Sequence, residues 1–237
     1  MKNTALITGS SKGIGRQLSL LLLQKGYTVF GYSRTNSINH KNFLFNQIDL
    51  TKVNDLESIR FPQVKKDEHI CLINNAGEIG EIEKFGKKKT NDIINEFNIN
   101  TVAPSILCNS FIKNYQNQSN HAVIMNISSG AALRPIESWG TYCQSKAAID
   151  MLTKIINEEH PNIKAYSIYP GVVDTEMQKK IRETDIEKFA LKDIFVEYFN
   201  NNELVDPKII SQKIYHILSN LDLFKDNMVS LRDLSIK

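Results

Sequence analysis

Residues 4–8 form a short apolar run of strand-forming side chains that stops at Gly9, and residues 9–15 then open a stretch whose apolar positions, Leu18, Leu21 and Leu22, recur at helical spacing up to Gly26. A strand delivered through a glycine-rich turn into a helix constrains the fold more than anything else in the chain. Gly9, Gly13 and Gly15 let the backbone turn tightly and let a phosphate approach the free N–H groups and positive dipole end of the helix. An ordinary tight turn is the plainer alternative.

The rest of the chain repeats that alternation. Strand-like runs at 27–32, 43–48, 69–73, 122–127 and 163–169, and a short one near 228–231, are separated by helical patterns at 91–114, from about 138 onward, and from Pro207. Strands alternating with helices predict an α/β fold, a Rossmann-type doubly wound parallel sheet with helices on both faces. A length of 237 residues with no linker-like stretch suits one domain, 1–237.

Charge and cysteine usage narrow the function classes. The net charge is +3, and Lys and Arg are scattered except at Lys87-Lys88-Lys89, which reads as a solvated loop or helix start. No nucleic-acid surface is expected. No apolar segment reaches the length of a membrane span, and Met1-Lys2-Asn3 runs straight into a strand without a signal-peptide pattern. Cys71, Cys108 and Cys143 are odd in number and lack CxxC spacing, as expected for reduced thiols of a cytoplasmic protein. The five histidines are isolated from one another, so no metal site is expected.

The chemistry concentrates in residues 128–148. Ser129 ends the apolar run 122–127, where a strand end can hold its hydroxyl still. Tyr142 and Lys146 follow at i,i+4 on a predicted helix, so their heads converge on one small volume. A phenol is a poor acid near neutrality, and an adjacent ammonium is expected to lower its pKa and make Tyr142 a usable general acid. Chance spacing on an amphipathic helix is the competing reading.

The order Ser129, Tyr142, Lys146 on strand, loop and helix resembles the catalytic signature of the short-chain dehydrogenase/reductase family. The resemblance extends through Thr8-Gly9-x3-Gly13-x-Gly15, Asn74-Asn75-Ala76-Gly77 and Pro170-Gly171-x3-Thr175, nearly the whole chain. It implies a nicotinamide cofactor held by Gly9, Ser11, Lys12, Gly13, Ile14 and Gly15 at the phosphates, and by Asn75, Ala76 and Gly77 at the ribose and nicotinamide. Pro170, Gly171, Val173 and Thr175 would clamp the carboxamide, and Tyr142 and Lys146 would also touch the cofactor. Asn100 would hold a water linking Lys146 to solvent, with Asn98 as the other alignment. Asp49 would contact the adenine, or it caps the next helix. At the end of the second strand an acidic residue for the ribose 2′-hydroxyl is missing and Arg34 is present, with Lys12 facing the same place, so NADP(H) is expected.

Within that family, the segments around Asn75 to Gly80, Ser138 to Cys143 and Val173 to Gln178 resemble sepiapterin reductases and bacterial benzil reductases. The implied activity is reduction of a small-molecule carbonyl, a ketone or vicinal diketone. A 3-oxoacyl thioester reductase and a non-catalytic NADP(H)-binding sensor are the alternatives. Trp139 and Met177 would line the substrate, Trp139 otherwise being a core or dimer-contact aromatic. A mobile, partly helical lid is expected at about 176–202, with Met177, Ile181, Phe189, Phe195 and Phe199 as its apolar contacts. The acidic pterin anchor of sepiapterin reductases aligns with Leu231, with Asp233 nearby. Family members usually pair through the helices holding Asn100 and Tyr142, so a homo-oligomer, with a dimer favoured, is implied.

Overall fold

The computed structural model describes residues 3–117 and 121–236. Met1 and Lys2, part of the N-terminal reading above, lie outside the described residues. Seven parallel strands form one sheet: β1 (Asn3–Thr8), β2 (Thr28–Ser33), β3 (Phe43–Gln47), β4 (His69–Asn74), β5 (Ala122–Ile127), β6 (Lys164–Tyr169) and β7 (Met228–Ser230). Their spatial order is β3-β2-β1-β4-β5-β6-β7. The order reverses between β1 and β4, and open α/β sheets take their ligands in the cleft outside the carboxyl ends of the strands at such a reversal. The doubly wound parallel sheet expected from the alternation is the observed fold.

Helices cover both faces because each strand interior is apolar on both sides. On one face α1 (Gly13–Gln24) and α8 (Pro207–Ser219) bury Leu18, Leu22, Ile210, Ile214 and Ile217 against β1, β4 and β6. On the other, α4 (Ala103–Tyr115) and α5 (Gly140–Glu159) bury Leu107, Phe111 and Ile156, with the short α2 (Val53–Glu57) adding Leu56. Between β6 and α8 lie α6 (Glu176–Glu183) and α7 (Lys192–Asn200). Together with the segment joining them, they bring Ile181, Phe189 and Phe195 onto Trp139 and Tyr142 in a separate apolar cluster.

Two helices depart from their sequence patterns. The helical run expected over 91–114 is α3 (Thr90–Phe97) and α4 joined by a π-turn at Asn98–Val102. Single π-turns inside helices are frequent at functional sites, and this one turns Asn100 inward, leaving it 1% exposed. The helix expected from Ser138 begins at Gly140, because Ser138 takes a left-handed φ of 66°. Its hydroxyl donates to the Lys188 carbonyl at 2.6 Å.

Candidate active site

The glycine loop is stitched to the end of β4. The backbone N–H groups of Asn75 and Ala76 donate to Thr8 Oγ1 at 3.1 and 3.0 Å, and the Asn75 amide donates to the Thr8 carbonyl at 2.9 Å. Gly9 needs its left-handed φ of 68°, and a Cβ there would stand 3.0 Å from the Ala76 Cα. At the start of α1, Lys12 occupies the cap position without a side-chain hydrogen bond, and no acidic residue sits in the first turn. The N–H groups of that turn therefore face the cleft unanswered by side chains. The PG-x3-T segment reaches the same loop, since a Cβ on Gly13 would lie 3.4 Å from Thr175 Cγ2. Ser11 is tied to the loop after β2 by Ser37, whose hydroxyl donates to the Ser11 carbonyl at 2.7 Å.

Arg34 and Lys12 are both exposed, and Arg34 helps hold the Asp49 carboxyl below its usual range, behind the larger effect of the Thr51 N–H. Asp49 makes an Asx turn, with Oδ1 accepting from the Thr51 N–H and hydroxyl at 3.1 and 2.8 Å. It does not cap α2, whose cap position is Lys52.

Ser129, Tyr142, Lys146 and Asn100 meet on the far side of Gly77. A Cβ on Gly77 would stand 3.2 Å from Asn100 Oδ1 and 3.3 Å from Lys146 Nζ. Asn100 clamps the next residue: its Oδ1 accepts from the Glu78 N–H at 2.9 Å, and its Nδ2 donates to the Glu78 carbonyl at 2.8 Å. Asn100 is therefore the inward asparagine, whereas the Asn98 amide reaches the Thr51 carbonyl. Lys146 is 4% exposed and donates from Nζ to the Ile127 carbonyl at 2.8 Å. Its ammonium sits 5.7 Å from the centre of the Tyr142 ring. The Tyr142 hydroxyl is 4.0 Å from Met177 Sδ.

The electrostatics correct one expectation. Lys146 was expected to lower the Tyr142 pKa, yet burial pushes the phenol up to about 12, and the hydrogen bond with Ser129 only partly opposes it. Desolvation of a phenolate in a fully enclosed site outweighs a cation that is engaged with a backbone carbonyl. Burial also pushes the Lys146 ammonium down to about 8, against the pull of Asp150 one turn further along α5. Asp150 is itself buried and accepts from the Tyr169 hydroxyl at 2.7 Å and from the Ser167 hydroxyl. Its i,i+4 spacing from Lys146 is the sequence signal that marks it.

Trp139 resolves toward the core reading. It is 6% exposed, stacks on Phe189 with ring centres 5.3 Å apart, and stands edge-on to Tyr142 at 5.9 Å. Phe199, expected as an apolar contact of the same segment, is half exposed beneath the Arg182 guanidinium. Leu231 is wholly buried in the core under α8, and Asp233 is exposed. The basic run also needs correction. Lys87 and Lys89 are exposed, but the Lys88 side chain is 1% exposed and paired with Glu96. A run of like charges carries no signal for such a partner eight residues away on a helix.

Among the described residues no group of His, Cys, Asp and Glu could hold a metal, and no helix is long and apolar enough to cross a membrane.

Comparison with known proteins shows the family. The short chain dehydrogenase family model matches residues 3–186. A benzil reductase ((S)-benzoin forming) of Bacillus subtilis is 34% identical over 224 residues, covering 90% of this chain and 92% of the relative. The sepiapterin reductase of Rattus norvegicus is 30% identical over 237 residues, covering 90% of each. A short chain dehydrogenase/reductase of Saccharomyces cerevisiae shares the fold with a TM-score of 0.85 at 23% identity, covering 98% of this chain and 97% of its own. ElxO, solved with NADP bound, gives a TM-score of 0.79 at 27% identity, with 98% and 97% covered.

Proposed function

Because the chain belongs to the short-chain dehydrogenase family, a family of oxidoreductases that bind nicotinamide cofactors, we propose that it is an NADPH-dependent carbonyl reductase with Tyr142 as general acid. Its substrate is a ketone or vicinal diketone. The observation that carries this reading is the meeting of Ser129, Tyr142, Lys146 and Asn100 around the bare backbone of Gly77.

The cleft fits the cofactor on its own geometry. The uncapped first turn of α1, with Gly9, Ser11, Lys12, Gly13, Ile14 and Gly15 around it, offers N–H groups to a pyrophosphate. The missing side chain at Gly77 leaves Lys146 and Asn100 approachable, with Asn75 and Ala76 beside it. Pro170, Gly171, Val173 and Thr175 close the far end, and Asp49 borders the adenine side. Exposed Arg34 and Lys12, with no acid at the end of β2, favour a 2′-phosphate and hence NADP(H). When bound, NADPH supplies the hydride that reduces the carbonyl carbon.

The residues of the chain handle the proton. As negative charge grows on the carbonyl oxygen, Ser129 donates a hydrogen bond to it and Tyr142 gives it a proton. With its pKa near 12, the phenol holds that proton throughout the physiological range. Lys146 opposes the charge left on Tyr142, and its pKa near 8 lets it pass a proton on. Asn100 fixes the loop at Glu78, beside the path from Lys146 to solvent. Residues 176–202 cover the site as a lid, with Met177 bordering the substrate and Trp139 packed behind Tyr142 against Phe189. Buried Leu231 leaves no carboxylate for a pterin at the aligned position, which supports a diketone over a pterin. Exposed Met151 and Ile155 on α5 support a homodimer, and the three unpaired cysteines support a cytoplasmic location.

NADPH oxidation against benzil, smaller diketones, sepiapterin and a 3-oxoacyl thioester tests the proposal, with Tyr142→Phe as control. Turnover of a diketone, lost in the variant while NADPH still binds, is the expected result. Near-normal turnover by Tyr142→Phe would falsify the assignment.

A further inference from the structure

Beside the active site lies a charge pair that the reaction as described does not use. Lys88 and Glu96 are each 1% exposed, the one ion pair among the described residues with both side chains buried. Lys88 Nζ donates to both Glu96 carboxylate oxygens at 2.8 Å and to Thr141 Oγ1 at 3.0 Å. Glu96 Oε1 also accepts from the Glu81 N–H at 2.9 Å. The ammonium is thereby fully used, and the carboxylate holds two elements at once. Gly80 closes over the pair with a left-handed φ of 65°, and a Cβ there would collide with the Glu96 carboxyl group. The Gly80 carbonyl in turn accepts from Lys180 of α6 at 2.6 Å.

One buried pair thus joins the loop after β4, helix α3, the first turn of α5 and, through Gly80, helix α6. Thr141, fully buried, is the residue before Tyr142. A buried ion pair adds little net stability, and an apolar pair of similar volume often does as well or better. What it adds is direction. Three donors on one nitrogen define a point in space, whereas two packed methyl-bearing chains allow the helix turn above them to rotate or slide. A displacement of about 1 Å at a proton donor is enough to slow a reaction by one to two orders of magnitude.

We propose that Lys88 and Glu96 are positioning residues for Tyr142, holding the first turn of α5 through Thr141 so that the phenol stays on Ser129. The proposal rests on the reading of Tyr142 as the general acid. It is separable from stability because the pair can be replaced as a unit.

The test compares Lys88→Met, Glu96→Leu and the double variant Lys88→Met/Glu96→Leu with the wild type. Tm, kcat, KM for NADPH and the tyrosine Cζ resonances of 13C-labelled protein are measured, Tyr142 being assigned by its loss in Tyr142→Phe. Each single variant leaves a buried charge unpaired and loses both Tm and kcat. The double variant is expected to regain Tm while kcat stays down roughly tenfold or more, KM for NADPH stays within about twofold, and the Tyr142 resonance stays displaced. A double variant with restored Tm, wild-type kcat and an unmoved Tyr142 resonance would overturn the proposal. If the wild type reduces none of the carbonyls, the reductase reading fails, and the Tyr142 resonance alone decides this inference. Should the double variant not fold, Thr141→Val and Thr141→Ser replace it. The hydroxyl-free variant is then expected to displace the resonance and Ser to restore it, and an unmoved resonance in Thr141→Val refutes the positioning role.

Discussion

Gly80→Ala is the substitution whose cost the structure defines most sharply. Two separate penalties apply. The first is the left-handed φ of 65°, which costs a residue with a Cβ about 1 kcal/mol relative to glycine. The second is the collision of that Cβ with the Glu96 side chain. A clash with the end of a flexible side chain is normally cheap, because the chain swings aside. Glu96 cannot swing, since its carboxylate is held by Lys88 and by the Glu81 N–H in a site without water access. Moving it breaks a buried ion pair, at about 3–5 kcal/mol. The sum, about 4–6 kcal/mol, corresponds to a fall in Tm of roughly 10–20 °C for a domain of this size. Gly86→Ala is the matched control: its φ of 92° carries the backbone penalty, but nothing lies within 4 Å of the added carbon. It should cost about 1 kcal/mol, or roughly 2–4 °C. Thermal and urea unfolding of both variants decide the matter. If Gly80→Ala is no worse than Gly86→Ala, Glu96 is free to move and the account of a rigid buried pair is wrong.

Reduction should be flat with pH below about 7 and fall as pH rises through about 8, where buried Lys146 loses its proton; a profile level to about pH 10 would refute that assignment. The same depressed pKa acts on stability with a definite sign. Between about 8 and the ordinary value of 10.5 the folded state binds fewer protons than the unfolded one, so the penalty of burying the ammonium is full below about 8 and is relieved as pH rises. Lys146→Met should therefore gain the most stability near pH 7 and little near pH 10, and parallel unfolding curves for variant and wild type would contradict it. Arg34→Ala should weaken NADPH binding about tenfold and leave NADH within about twofold, read by cofactor fluorescence titration; equal loss of both would place Arg34 outside the 2′-phosphate site. Phe189→Ala removes a wholly buried ring stacked on Trp139 and should cost about 3–5 kcal/mol, with KM for the carbonyl rising more than KM for NADPH. An unchanged carbonyl KM would mean that residues 176–202 do not shape the substrate site.

Much of the site was legible because its parts are local in sequence. The glycines at 9, 13 and 15, the pair Tyr142 and Lys146 one helical turn apart, and Ser129 at a strand end each follow from short-range geometry. Asn100 was reached only through the family resemblance, with Asn98 as the other alignment, because the π-turn that points it inward has no local signature. The misreadings share a cause. Lys88 looked like one of three solvated lysines because its partners, Glu96 and Thr141, are 8 and 53 residues away. Trp139 stayed undecided until Phe189, fifty positions on, stacked against it.

Period and spacing were enough to determine a parallel α/β sheet, its glycine turn into α1 and the placing of Tyr142 and Lys146 one helical turn apart, since hydrophobic alternation and helical repeat are properties of neighbours along the chain. Tertiary structure alone decided how those groups behave. Enclosure by α6, Met177 and Phe189 is what pushes Tyr142 up instead of down, and the Ile127 carbonyl is what takes the Lys146 ammonium. Desolvation and pairing depend on which distant side chains close over a site, and no short window of sequence holds that information.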